Sequence, residues 1–168
     1  SPCRSALGAK SYAQACRLNS AEIGKMISQQ CFNICHKIRE VDVLLQTNPD
    51  ARRRIREVHP EICFGVLNGG APMQHSKKMA LGFAARMQLL KRFFAPAQQI
   101  VNFALTNWPR TAVAKDDVLD ALVAAFTALK PEDLISIPAS PQQDDMGLPM
   151  EMVYREFGDS NSASACNS

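Results

Sequence analysis

The 168-residue sequence has no apolar run approaching the roughly 20 residues that a bilayer-crossing helix requires. Its opening, Ser1-Pro-Cys-Arg-Ser5, has no apolar core of the kind a secretion signal carries. From these two absences a soluble, cytoplasmic protein with no membrane partner is expected. Charge of one sign is also scarce. Nineteen basic residues against 16 acidic ones leave a formal charge of +3, too little by itself to mark a nucleic-acid binder, although local basic clusters can still matter. Cysteines are present, but they lack paired short spacing. Cys3, Cys16, Cys31, Cys35, Cys63 and Cys166 mostly sit singly inside apolar helical patterns and read as reduced, core-filling thiols. Cys31, Cys35 and His36 place a thiolate pair on one helical face, yet a structural zinc needs about four ligands and no second half is visible, so that metal site is rejected.

What is present suits one globular domain. A 46% hydrophobic content over 168 residues is enough for a single sizeable core. One domain over residues 1–157 is therefore expected. From Gly158 a polar, serine-rich tail has nothing to bury, and 158–168 reads as disordered. Apolar residues recur at three- and four-residue steps from Ser20 to about Gln46, which is helical periodicity. Ser76 to Phe94 reads as a long amphipathic helix with Met79, Phe83, Met87, Leu90 and Phe94 inward, and with Lys77, Lys78, Arg86, Lys91 and Arg92 largely outward as a solvated face. The basic run Arg52, Arg53, Arg54 and Arg56 reads as a wet helix end, with phosphate binding as its alternative. Trp108, the only tryptophan, reads as a packing anchor rather than a base-stacking platform. Leu134 to Pro138 and Pro149 to Tyr154 carry strand patterns on either side of a loop.

Two stretches carry the chemistry. Arg56 to Gly70 compresses Glu57, His59, Pro60, Glu61 and the Gly69-Gly70 pair into a strand-to-helix transition. The spacing predicts a short strand over Ile55 to Val58 and a helix from Pro60 to about Leu67, stopped by glycines that tolerate a left-handed backbone. Glu57 and Glu61 then face the same end of a sheet, where open α/β folds keep their sites. The glycine pair does not resemble a phosphate loop, because the preceding glycine spacing and the Lys-Ser or Lys-Thr ending are missing. In the second stretch, Asp116 can cap a helix and Asp117 suits its positive end. Asp120 follows at spacings of three and four, on the same face and ahead of an alanine-rich apolar run. Stacked carboxylates repel unless a cation or donors compensate, so this face reads as metal-binding, with a cap plus an exposed aspartate as the alternative.

Taken together, Lys37-Ile-Arg-Glu-Val-Asp42, Glu57-Val-His-Pro-Glu61, Leu67-Asn-Gly-Gly70, Ser76-Lys-Lys78, Asp116-Asp-Val-Leu-Asp-Ala121 and Gly147-Leu-Pro-Met-Glu151 resemble the DUF429 family, a group regarded as RNase H-like nucleases. The resemblance covers about Ser11 to Tyr154. It implies a helix-rich α/β domain of ribonuclease-H-like type and metal-dependent phosphodiester hydrolysis. Asp117-x-x-Asp120-Ala-Leu is also similar to the last-helix metal motif of bacterial Holliday-junction resolvases, in which a strand glutamate supplies a further ligand. The resemblance therefore implies Glu57 and Asp120 as main ligands of Mg2+ or Mn2+, Asp116 or Asp117 as an additional one, and Glu61 or His59 as a proton-transfer group. His59 bonding its own turn is an equal reading. Family members usually open with a strand bearing an aspartate, which has no counterpart before Ser11, so the N-terminal strands are expected to be missing. Nucleic acid is the expected partner. The rival expectation is a catalytically silent domain whose bare sheet edge binds a protein or a second copy.

Overall fold

The computed structural model describes residues 2–157; the expected disordered tail and Cys166 lie outside the described residues. The described chain forms two compact units, residues 2–56 with 144–148, and residues 57–143 with 149–157. The architecture is helix-rich α/β, with eight helices and one small sheet among the described residues.

The first unit is helical, with α1 Arg4–Leu7, α2 Tyr12–Ile23, α3 Gln29–Thr47 and α4 Pro49–Arg54. Ser11 opens α2 by accepting the Gln14 N–H, and Ser28 opens α3 by accepting the Cys31 N–H, each replacing a partner the first turn lacks. The helical periodicity over Ser20 to Gln46 is broken at Gly24, whose φ of 73° is open to glycine at little cost and ends α2. Asn48 both ends α3 and caps α4, taking the N–H groups of Asp50 and Ala51. Small side chains let the helices approach. Ala6, Ala15, Cys16 and Cys35 are buried with Leu7 and Ile27 in one apolar cluster. Within it Asn19 is almost fully buried but satisfied, accepting from the Cys3 N–H at 2.7 Å and donating to the Lys25 carbonyl at 2.7 Å. The five described cysteines are free thiols, four of them buried.

The second unit holds α5 Pro60–Leu67, α6 Ala80–Phe93, α7 Ala97–Asn107 and α8 Lys115–Ala128, then β1 Leu134–Ile137 and β2 Met152–Arg155. The strands pair antiparallel with Ile135 opposite Tyr154. The strand expected over Ile55 to Val58 is instead a single parallel bridge, Val58 to Val153, in which the Glu57 carbonyl accepts the Val153 N–H at 2.8 Å. Ile55 already ends α4 and Pro60 already begins α5, so too few residues remain for a ladder. Helix α5 runs as its sequence predicts and ends on Gly69 and Gly70, both at positive φ. Phe64, Leu67, Leu90, Val101, Leu119, Val123 and Phe126 form the core between α5, α6, α7 and α8. No described helix is long and apolar enough to cross a membrane.

Candidate functional site

The titratable groups of the second unit converge where the chain 75–79 and the first turn of α6 meet α5 and α8. The approach is very close. A Cβ on Gly82 would stand 2.0 Å from the Ser76 carbonyl oxygen, so only glycine lets that backbone lie on α6. This is also why the helix expected from Ser76 starts at Ala80: the preceding residues fold over its first turn instead of extending it.

Arg86, expected on the solvated face, is only 2% exposed. Its Nε donates to Glu61 Oε1 at 3.1 Å and its Nη2 to Oε2 at 2.7 Å, a planar two-point grip that suits guanidinium and carboxylate. Nη1 donates to the His75 carbonyl at 2.9 Å and the Gly82 carbonyl at 3.0 Å. The guanidinium carbon also lies 5.6 Å from the Phe64 ring centre. Glu61 is thus a brace, with both oxygens engaged. The sequence signal for Arg86 is its spacing: it stands three residues after Phe83 and four before Leu90, inside the apolar stripe.

Lys77 is the second displaced cation. Its ammonium pairs with Asp120 Oδ2, and its pKa is raised by that hydrogen bond. Burial opposes the rise, while the negative charges of Asp120, Asp116 and Glu61 add to it. Asp116 and Asp120 stand one helical turn apart, and both are half-buried. Asp117 is exposed, as are Glu57 and His59. The helix cap is Ala114 rather than Asp116, so the orphan N–H groups of the first turn gain acidic neighbours but no side-chain cap. His59 likewise stands at the cap position of α5 without a side-chain cap bond.

A divalent cation finds one feature that fits it. Asp120 Oδ1 is buried and has no hydrogen-bond partner, whereas Oδ2 belongs to Lys77. An unsatisfied carboxylate oxygen beside a second carboxylate suits Mg2+, which takes oxygen ligands, keeps several waters and needs only one or two protein carboxylates plus substrate phosphate. A closed protein cage is not formed, for among the described residues no group of three or more His, Cys, Asp or Glu side chains is gathered to hold a metal. Asp116 and Asp120 come together, and Glu61 reaches them through the shared charge of Lys77.

The remaining motif residues have structural roles in the first unit. Asp42, which closes Lys37-Ile-Arg-Glu-Val-Asp42, accepts from Arg4 Nε at 3.0 Å and Nη2 at 2.9 Å, and Asp144 accepts from the same Nη2 at 2.6 Å. Burial pushes the Asp144 carboxyl up, but the Leu148 N–H, the Arg4 guanidinium and the Met146 N–H outweigh it and hold its pKa below the usual value. In the basic run, Arg52 donates to the Gly147 carbonyl and Arg53 pairs with Asp50.

No curated protein and no solved structure matches this chain. A family model described as "Protein of unknown function (DUF429)" matches residues 1–143. That match spans well over half of the sequence, and the protein belongs to the DUF429 family.

Proposed function

We propose that the second unit is a ribonuclease-H-like nuclease domain that hydrolyses phosphodiester bonds at the acidic face of α8 with Mg2+ or Mn2+. The observation that carries this reading is the buried, unpartnered Oδ1 of Asp120 beside Asp116. Asp120 would hold the ion with help from Asp116, and water and substrate phosphate would complete its oxygen ligands. Such an ion, when bound, activates water and stabilises the leaving oxygen. Lys77 keeps Asp120 neutralised without metal and must yield when an ion enters. Glu61 would support the site through its two-point pairing with Arg86.

The test is thermal unfolding with and without millimolar Mn2+, alongside cleavage assays on single-stranded, duplex and hybrid substrates. Mn2+ raises the melting temperature and supports cleavage, and Asp120→Asn loses both. Lys77→Met removes the competing ammonium and lowers the Mn2+ concentration needed for the thermal shift. No metal response in either protein sinks the reading.

A second reading, a silent domain that pairs through a sheet edge, has one observation in its favour. Strand β1 has β2 on one side and no strand on the other among the described residues. Self-association that rises with concentration, with no response to Mn2+, would favour it.

A further inference from the structure

Trp108 is not the packing anchor its sequence suggests. It is 49% exposed and meets Phe103, itself 61% exposed, edge-on with ring centres 5.8 Å apart. Ile100, three residues before Phe103 on the same helix face, is exposed as well. Two aromatic rings left in solvent next to one another are costly unless something covers them.

The charge of the chain that carries them points to what that is. No aspartate or glutamate occurs between Glu61 and Asp116, a span that carries seven lysines and arginines. Two of these cations, Lys77 and Arg86, are spent on internal carboxylates. Lys78, Lys91 and Arg110 stand exposed, Arg110 only two residues beyond Trp108. Lys115 Nζ lies 5.3 Å from the Phe83 ring centre, which brings the chain that follows Trp108 back to the first half of α6. Lys77 and Asp120 join that same half to α8. Helix α7, which ends at the aromatic pair, packs against α8, which carries Asp116 and Asp120.

We propose that Phe103 and Trp108 form a base-stacking platform for single-stranded nucleic acid, with Arg110 and the exposed lysines holding its phosphates. Aromatic faces accept any base, and a stretch of chain that carries cations and no carboxylates from residue 62 to residue 115 suits a polyanion rather than an acidic or neutral partner. The proposal rests on the nuclease reading for its purpose, since it supplies that acidic face with a strand, but binding requires no metal.

Trp108 is its own probe, being the only tryptophan. The full chain is titrated in EDTA with oligo(dT) and oligo(U) of about ten nucleotides, within the usual range of single-strand site sizes. Stacking quenches the Trp108 emission, and comparing the two oligomers separates DNA from RNA. Anisotropy of a labelled oligomer then compares variants, with circular dichroism confirming that they fold. Trp108→Ala and Phe103→Ala each weaken binding about tenfold, and Trp108→Phe restores most of it. Arg110→Gln lowers the slope of log affinity against log salt by about 0.7.

An unquenched Trp108, unaltered affinity in Trp108→Ala, or Trp108 buried instead by concentration-dependent self-association overturns the proposal. Quenching without metal-dependent cleavage supports the platform and removes the nuclease reading. Metal-dependent cleavage that Trp108→Ala leaves unchanged does the reverse.

Discussion

Removing the Glu61 carboxylate tests whether this residue braces the fold or moves a proton. In Glu61→Ala the Arg86 guanidinium loses both charge-assisted bonds, at 3.1 and 2.7 Å, and keeps only the two carbonyls of His75 and Gly82. Breaking a buried pair by deleting one partner costs about 3–5 kcal/mol, because the remaining charge stays desolvated. The Arg86 side chain is 3% exposed but that of Glu61 is 38% exposed, so water can follow the deletion from one side. The expected loss is therefore about 2–3 kcal/mol. Glu61→Gln keeps the shape and loses the charge. Charge-assisted bonds are about twice as strong as neutral ones, so this variant should lose about 1 kcal/mol. The assay is urea unfolding followed by Trp108 emission, which reports on the second unit. A double-mutant cycle with Arg86→Met should give a coupling of about 1–2 kcal/mol. Single losses within about 0.5 kcal/mol, the range of ordinary surface substitutions, together with an additive cycle would refute the brace. If Glu61 were instead the proton carrier, Glu61→Gln would abolish turnover and leave the unfolding midpoint in place.

Gly82→Ala should cost about 2–3 kcal/mol in the same urea assay, because its Cβ meets the Ser76 backbone rather than a movable side chain, whereas Gly8→Ala meets nothing within 4 Å and serves as the control. Asp144 predicts an acid-sensitive first unit. Its folded pKa lies below its unfolded value, so its contribution is complete above the unfolded value, about 3.9, and is lost as pH falls through the folded one. Thermal unfolding between pH 2 and pH 6 should therefore fall less steeply for Asp144→Asn than for the native protein, and parallel curves would refute the assignment.

The local signals of helices and turns were legible in the sequence. Pro60 at the start of α5, Gly69 and Gly70 after its end, and the apolar stripe of α6 each report a backbone requirement that one or two residues meet by themselves. The break at Gly24 was legible only in part, since apolar residues keep helical spacing on both sides of it and only the glycine marks the turn. The site was harder to read because its charges pair at long range. Asp120 reads as a carboxylate needing compensation, yet the lysine that pairs with it, Lys77, is 43 residues away and looks like any surface lysine. Arg86 was assigned outward on charge alone, although its position within the stripe pointed inward. Trp108 continues the spacing of the buried Ala97 and Val101 and so reads as inward, but α7 ends at Asn107 and the extended backbone of Trp108 takes it off that face.

Both cations that pair with carboxylates of α5 and α8 come from one short piece of chain. Lys77 serves Asp120, Arg86 serves Glu61, and Gly82 allows the backbone that carries Lys77 to lie against the helix that carries Arg86. Glu61 of α5 and Asp120 of α8 are thereby paired from a single side, which leaves Asp120 Oδ1 as the acceptor that nothing in the described chain fills. A change that lifts the 75–79 backbone would remove the His75 carbonyl from Arg86 and the ammonium from Asp120 together. Stability and cation affinity at this face are then coupled in opposite directions. Loosening the segment weakens the fold, yet it exposes carboxylates to a divalent ion, and that ion can return part of the lost stability by binding only the folded state.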